Sequence, residues 1–162
     1  MPQLPEQVWR RRIESEYLQL VQKGVQFTAS PDKLSYDFVL RGPGIVAEGD
    51  GSVKRVEEHR VRLVLNREYP YAGGFELAWI TPIFHPNIRE DGKVCIQLVN
   101  KWSAGQTMAN IVDALHQLLE NPNPDSPLNT DAARYFMEHP NALSQSAPAG
   151  REVKKPKVVF QG

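Results

Sequence analysis

The residue with the clearest chemical potential is Cys95, the only cysteine among 162 residues. A single cysteine cannot form an internal disulfide, which is typical of proteins from a reducing compartment. The thiol is therefore either a buried bystander or a chemical reagent, because free cysteine is among the most buried residue types. As a reagent it would act through its thiolate, which is the nucleophilic form.

The residues around Cys95 form an ordered series of short motifs. A His-Pro-Asn triplet alone is weak evidence for any function, since three residues recur by chance. The complete order is more specific, and it places the cysteine eight residues after the asparagine of that triplet. From the first helix to about Phe136, this order resembles the ubiquitin-conjugating enzyme family. The series comprises Tyr69-Pro70-Tyr71, His85-Pro86-Asn87-Ile88, Gly92-Lys93-Val94-Cys95, Trp102 and the segment from Asn121 to Asn129.

The resemblance implies roles for four of these residues. Cys95 would carry ubiquitin or a ubiquitin-like protein as a thioester, received from an activating enzyme, and pass it to a substrate lysine. Aminolysis forms an oxyanion that needs a hydrogen-bond donor, and the side-chain amide of Asn87 offers two N–H donors. In the family this asparagine is credited with that role or with ordering the active-site loop. The histidine, here His85, is regarded as structural, and Pro86 fixes the backbone between them.

Two further residues are candidates for the rim of the site, where the lysine would approach. The amine must lose a proton and its hydration, and a carboxylate or a polar, partly dry rim near the thioester assists this loss. Family members often place an aspartate immediately before the Pro-Leu that precedes the last helix. Here Ser126 occupies that position and Asp125 lies one residue earlier, so both are candidates.

The resemblance also implies surfaces for partner proteins. In the family the first helix meets the activating enzyme and the ligase, which makes Arg10 and Arg11 candidate partner contacts. A solvated helix face is the alternative interpretation of these arginines. The equivalent of Tyr71 and the loop after the tryptophan, here with Ala104, contact the ligase. The segment after Tyr71 lacks the family's Pro-Pro pair, and the expected regular structure ends one helix early. These features resemble the compact conjugating enzymes of bacterial ubiquitination-like operons.

Hydrophobic periodicity predicts the elements that would position these residues. Pro5 to Lys23 is predicted as a helix with an apolar stripe, and Gly24 stands where the helix would end. From Val25 to Ile83 the pattern changes to period two, with turn residues between short apolar runs. This pattern predicts a four-stranded antiparallel meander. Its second strand is expected to end at the turn Arg41-Gly42-Pro43-Gly44.

A long loop and two helices are predicted after the sheet. Residues Pro82 to Gly105 show little periodicity, and such loops inside a compact domain are often functional. A helical stripe then runs from Met108 to Leu119, and Asn129 or Thr130 is expected to cap a last helix. The expected fold is therefore α+β, with helices packed on one face of a twisted antiparallel sheet.

Composition and charge limit the classes of partner and the location. Lysine plus arginine number 19 and aspartate plus glutamate also number 19, so nothing points to nucleic acid or an anionic membrane. The most apolar run is too short to span a membrane, and the N-terminus has no signal-peptide core. A cytoplasmic location is expected. Residues 1–140 would form the catalytic domain, and residues 141–162, rich in small and polar residues, a flexible tail.

Two other functions compete with this interpretation. A cysteine hydrolase would pair Cys95 with His85 as nucleophile and base. A non-catalytic ubiquitin-binding or scaffold module of the same fold is the alternative from another class, and the presence of both Cys95 and Asn87 argues against it. No metal site is expected, because one cysteine and scattered histidines do not supply a tetrahedral set. No cofactor is implied either, since ATP is consumed upstream by the activating enzyme.

Overall fold

The computed structural model describes residues 2–94, 103–125 and 127–143. In these ranges a helix is followed by four strands and then by two helices, which confirms the predicted α+β architecture. None of the helices in these ranges is both long enough and apolar enough to cross a membrane. The elements are α1 (Glu6–Lys23), β1 (Phe27–Ala29), β2 (Ser35–Ala47), β3 (Val53–Leu65), β4 (Phe75–Trp79), α2 (Met108–Glu120) and α3 (Thr130–Glu138).

Helix α1 buries one face and ends at a glycine, as its sequence predicts. Gly24 adopts the left-handed conformation with φ 77°, and its N–H donates to carbonyl oxygens of the last turn, as is usual at helix C-termini. Tyr17, expected in the apolar stripe, lies only partly buried at the edge of the core, whereas Glu16 is buried. The other stripe residues, all buried, are Trp9, Ile13 and Leu20.

The sheet is an antiparallel meander with strand order β1-β2-β3-β4, which confirms the predicted topology. Phe38 of β2 lies opposite Phe27 of β1 and Val61 of β3, and Val61 lies opposite Trp79 of β4. Alternate residues of the strands point into the core, because successive side chains of a strand face opposite sides. Helix α2 packs against β2 and α1, so one side of the sheet is covered by helices. The buried residues of the two long strands include Tyr36, Phe38, Leu40, Val61, Leu63 and Leu65.

The predicted turn at Arg41–Gly44 is wrong, because β2 continues through it to Ala47. The pairing register between β2 and β3 shifts between Arg41 and Gly44, which is a β-bulge. A proline and glycines are tolerated inside a strand at such a bulge. His59 of β3 fills the space left there: its Nε2 lies 3.1 Å from the carbonyl oxygen of Gly42. A Cβ on Gly44 would come within 2.7 Å of the His59 ring, so any larger residue would force this buried ring to move.

The last two helices begin at side-chain caps. Thr107 caps α2, with its side chain accepting the N–H of Asn110 while the Asn110 side chain accepts the N–H of Thr107. The Asn129 side chain accepts the N–H of Ala132 (3.0 Å), so Asn129, not Thr130, caps α3. The predicted stripe of α2 is confirmed: the residues fully buried along it are Met108, Ile111, Leu115 and Leu119.

The division into a domain of residues 1–140 and a flexible tail stays a prediction. Residues 144–162 lie outside the described ranges. Before them, the chain turns back toward the sheet, because Arg55 of β3 donates from Nη1 to the carbonyl oxygen of Leu143 (3.0 Å).

Candidate active site

The chain leading to Cys95 forms a small hairpin inside the loop predicted to lack regular structure. Isolated bridges pair Ile88 with Val94, and Lys93 with Ala78 of β4. Gly92 makes the turn with φ 96°, and a Cβ there would collide with the carbonyl oxygen of Trp79. The backbone is therefore fixed up to Val94, which is 6% exposed.

Cys95 itself lies outside the described residues, as do Trp102 and Ser126. The predictions made for these three residues therefore remain predictions. The structure instead gives the positions of the residues that precede the cysteine and of the segments that pack beside them.

His85 is a buried residue, 2% exposed, with both ring nitrogens in hydrogen bonds. Its Nδ1 accepts the N–H of Asn87 (2.9 Å), so Nε2 carries the proton and donates to the carbonyl oxygen of Leu118 (2.8 Å). That carbonyl lies in the last turn of α2, where the residue four positions on is Pro122, which has no N–H. His85 thus satisfies an oxygen that the helix leaves unpaired.

The environment of His85 keeps its ring neutral. Burial lowers its pKa to about 4, more than the hydrogen bond to Leu118 raises it. A general base needs a nitrogen free to accept a proton from the nucleophile, and neither nitrogen of His85 is free. The cysteine-hydrolase alternative therefore loses its candidate base.

Asn87 is buried, 2% exposed, and its side chain is bound to the backbone of Asn123. Its Nδ2 donates to the carbonyl oxygen of Asn123, and its Oδ1 accepts the N–H of the same residue, each at 2.8 Å. One of the two Nδ2 hydrogens and the oxygen are thereby used. Of the two family roles, this geometry serves the ordering of a loop directly and leaves one N–H for an oxyanion.

Pro86 holds the other end of the same loop. Its carbonyl oxygen accepts the N–H groups of Leu128 (2.8 Å) and Asn129 (3.1 Å). Residues 123–129, named the rim loop here, are therefore fixed at both ends by the Pro86-Asn87 pair. Asp125 lies exposed in this loop, and its N–H donates to the Asn123 side chain (2.9 Å). The structure thus links Asp125 to Asn87 through Asn123, whose backbone binds the Asn87 side chain and whose side chain accepts the Asp125 N–H.

The predicted partner contacts lie on α1 and on two loops. Arg10 and Arg11 are exposed, and Arg10 donates from Nη1 to the carbonyl oxygen of Asp32 (3.0 Å). Tyr71, in the loop between β3 and β4, and Ala104, in the loop before α2, are both half-buried.

Two residues of this region were missed by the sequence analysis. Asn123 was noted only as part of a motif, and nothing in the sequence marked it as the backbone partner of Asn87. Glu16 of α1 is buried and pairs with Arg12 at 2.6 Å, and its burial was not foreseen. Among the described residues, no group of three or more His, Cys, Asp or Glu side chains could hold a metal ion.

Comparison with known proteins places the chain in a family. The family model described as ubiquitin-conjugating enzyme matches residues 12–149, so the chain belongs to the ubiquitin-conjugating enzyme family. It is therefore an E2 transferase, which confirms the prediction from the order of motifs. Enzymes of this family work with ubiquitin or ubiquitin-like proteins and with activating enzymes and ligases.

Individual relatives agree with this assignment. The chain is 30% identical to ubiquitin-conjugating enzyme E2 1 of Caenorhabditis elegans over 135 residues, which cover 80% of this chain and 67% of that protein. Its fold is similar to the E2 domain of a Toxoplasma gondii ubiquitin conjugating enzyme, with TM-score 0.67 and 24% identity over 86% of this chain and 91% of the other. Ubc12 of S. cerevisiae matches with TM-score 0.65 and 25% identity, covering 83% of this chain and 76% of that one.

Proposed function

We propose that this E2 carries ubiquitin or a ubiquitin-like protein on Cys95. The Cys95 thiolate attacks the thioester on the activating enzyme, a new C–S bond forms, and the thiolate of the activating enzyme leaves. A substrate lysine amine then attacks the same carbonyl carbon. A C–N bond forms, the amine loses its proton, and Cys95 leaves as the thiolate. ATP is consumed earlier, by the activating enzyme, so the chain itself needs no cofactor.

The observation that carries the proposal is the binding of Asn87 to the rim loop beside the hairpin that leads to Cys95. Asn87 precedes Ile88, and Ile88 is bridged to Val94, the residue immediately before the cysteine. The same Asn87 side chain makes two hydrogen bonds of 2.8 Å to Asn123. These contacts support a site in which the rim loop and the approach to the thiol are ordered together.

Asn87 is proposed to act mainly by positioning the rim loop. Its oxygen and one of its N–H groups are used in bonds to the Asn123 backbone, which favours ordering over a group reserved for the reaction. Its remaining N–H is the candidate donor to the oxyanion, because preorganised donors stabilise charge that develops in the transition state. His85, with both nitrogens bonded, is proposed to hold the turn that carries Asn87.

Asp125 and Ser126 are proposed to line the path of the lysine. A lysine in water is mostly protonated, so it needs an acceptor for its proton before it can attack. The exposed carboxylate of Asp125 can attract the ammonium and take the proton. Ser126 is the alternative, and its hydroxyl would orient the amine by hydrogen bonding.

The partner surfaces are proposed from the family pattern and the exposure of the residues. Arg10 and Arg11 would meet the activating enzyme or a ligase, and Tyr71 and Ala104 would meet a ligase. A cytoplasmic, reducing location is proposed because Cys95 must remain a free thiol.

The experiment that tests the function is thioester formation. The chain is incubated with ubiquitin, ubiquitin-activating enzyme and ATP, and analysed on a non-reducing gel, and the reaction is repeated with ubiquitin-like proteins and their activating enzymes. We expect a band that thiol removes and that is missing from Cys95→Ala. With Cys95→Ser, an oxyester band that resists thiol is expected instead. Absence of a band with every carrier would favour the non-catalytic binding module.

A further inference from the structure

A buried carboxylate joins the three parts of the fold that carry the proposed partner contacts. Glu16 of α1 is 3% exposed. Its Oε1 accepts the hydroxyl of Tyr69 (2.5 Å) and the backbone N–H of Met108 (2.8 Å). Its Oε2 accepts Nε–H of Arg12 (2.6 Å).

Two of the three donors lie on segments other than α1, and the third, on α1 itself, also binds a loop. Tyr69 lies two residues before Tyr71 in the loop between β3 and β4. Met108 is the first residue of α2. Arg12 lies on α1, and its Nη2 donates to the carbonyl oxygen of Gln106 (2.5 Å), which closes the loop containing Ala104. The Glu16 carboxylate and its ion pair therefore connect α1 to both loops.

Because the Glu16 carboxylate is buried, its hydrogen-bond donors must stay in place. Burying a carboxylate is costly unless its oxygens accept hydrogen bonds from well-placed donors. Arg12 supplies a charge-assisted bond, and the N-terminus of α2 offers an N–H group and a favourable dipole. Burial, reinforced by the charge of Glu16, raises the pKa of Tyr69, so the tyrosine remains a donor. If one donor moves, the carboxylate is left underpaired, and the elements are therefore held in one mutual arrangement.

We propose that Glu16 is a positioning residue for the partner-binding surface, holding Tyr71 and Ala104 in place relative to the exposed face of α1. The inference rests on the proposed function, which assigns partner contacts to these two residues and to Arg10 and Arg11. A surface that a ligase contacts through a helix and two loops requires all three to be aligned before binding, because preorganisation reduces the cost of association.

A matched pair of Tyr→Phe variants tests this inference. Tyr69→Phe removes the hydroxyl that donates to Glu16. Tyr36→Phe removes a hydroxyl that is equally buried in the same core but has no hydrogen-bond partner among the described residues. Glu16→Gln is a second variant at the junction. It keeps the size of the side chain, but the amide NH2 group must replace one of the two carboxylate oxygens. That group would then face either Arg12 or the donors Tyr69 and Met108, and the hydrogen bonds on that side would be lost.

The first measurement is amide hydrogen exchange, which needs no partner. In Tyr69→Phe and Glu16→Gln we expect exchange in residues 69–74 and 106–111 to be about fivefold faster or more, the factor that follows from loss of one buried hydrogen bond. Tyr36→Phe should leave both segments unchanged. Unchanged exchange in the Tyr69 variant, or equal acceleration in the Tyr36 variant, would overturn the inference.

The second measurement separates positioning from general stability. Ubiquitin-charged chain is discharged to free lysine with increasing amounts of a ligase domain that stimulates the wild type. Tyr69→Phe should raise the half-saturating ligase concentration by about fivefold and leave ligase-free discharge unchanged. An unchanged ligase response, or an equal loss of ligase-free discharge, contradicts the positioning role. Failure of the wild type to take up any carrier would refute the proposed function, while hydrogen exchange still decides whether Glu16 positions the loops.

Discussion

The side chain of Asn87 and the backbone of Asn123 exchange two hydrogen bonds, each 2.8 Å long, across 36 residues of sequence. This pairing makes the buried asparagine part of the rim loop's own hydrogen-bond network. The rim loop carries Asp125, and the same asparagine begins the hairpin that leads to Cys95. A substitution at Asn87 is therefore expected to slow transfer to the substrate lysine more than it slows the loading of Cys95.

Asn87→Ala should leave thioester formation intact and slow discharge to lysine. Loss of loop ordering alone is expected to reduce discharge about tenfold, on the scale of one buried hydrogen-bonding group. Loss of an essential oxyanion donor would reduce it by about 10²-fold or more. Single-turnover assays of loading and of discharge distinguish these results. Asn123→Ser is the control, since both bonds to Asn87 use its backbone and the serine hydroxyl can still accept the N–H of Asp125. Equal loss at both steps would count against the role given to Asn87.

Gly92→Ala should disrupt the hairpin before Cys95. The residue has φ 96°, and an added Cβ would collide with the carbonyl oxygen of Trp79, so the backbone must shift. We expect a loss of about 2 kcal/mol or more in the free energy of unfolding and slower thioester formation. Gly49→Ala is the matched control, because nothing lies within 4 Å of its Cβ position. Equal stability of the two variants in urea unfolding would show that the hairpin tolerates the side chain.

The lowered pKa of His85 should make the free energy of unfolding depend on pH. Its pKa is about 4 in the folded protein against the usual value of 6.5, so between these values the unfolded chain binds a proton that the folded chain does not. The free energy of unfolding should therefore fall as the pH drops from 6.5 toward 4, by roughly 3 kcal/mol from this residue, and level off below. His59, whose pKa is also lowered by burial, adds to the fall in the same direction.

Urea unfolding between pH 7 and pH 4.5 measures this dependence. His85→Gln removes the titrating group, so its stability should be lower at pH 7 but should change less with pH than that of the wild type. His139→Gln, at an exposed position, should run parallel to the wild type. If the His85 variant also ran parallel, His85 would not be the titrating residue.

The sequence predicted the fold well where the signal is local and poorly where it depends on distant residues. The stripe of α2 and the cap at Asn129 follow from neighbours in sequence. The bulge after Arg41 does not, because a Gly-Pro-Gly run has the composition of a turn until His59 on the next strand is known to fill the space beside it. Burial of Glu16 depends likewise on donors 53 and 92 residues away.

The candidate site divides in the same way. The order of motifs predicted Asn87 and either Asp125 or Ser126 as residues of one site, because the spacing and the residue types are unusual together. The contact that joins them could not be predicted, since the Asn87 side chain binds the backbone of Asn123, and a backbone group has no signature in sequence. The paired ring nitrogens of His85 were missed for the same reason, because one of them binds a backbone carbonyl of α2.

Charge reversal on α1 tests the proposed contact with the activating enzyme. The double variant Arg10→Glu, Arg11→Glu should raise the KM for loading by about tenfold, because opposite charges steer and hold protein partners, and added salt should reduce the difference. Lys54→Glu with Arg60→Glu makes the same change in net charge at exposed positions of β3. Equal KM values for the two double variants would indicate an effect of total charge and remove α1 from the proposed interface.

Asp125→Asn tests whether a carboxylate assists the lysine. The substitution keeps the N–H that donates to the Asn123 side chain, so the rim loop should keep its shape and loading should be unchanged. Discharge to lysine should fall by about tenfold, below the usual range for a general base because the carboxylate is exposed and water can replace part of its action. Ser126→Ala should have the smaller effect if Asp125 is the acceptor, and Asp131→Asn, an exposed change in the next helix, should have none.

Raising the pH supplies more neutral lysine, so the deficit of the Asp125 variant should shrink as pH rises from 7 to 9. A deficit that stays constant over this range would indicate that Asp125 orients the substrate and that the proton of the lysine passes to solvent.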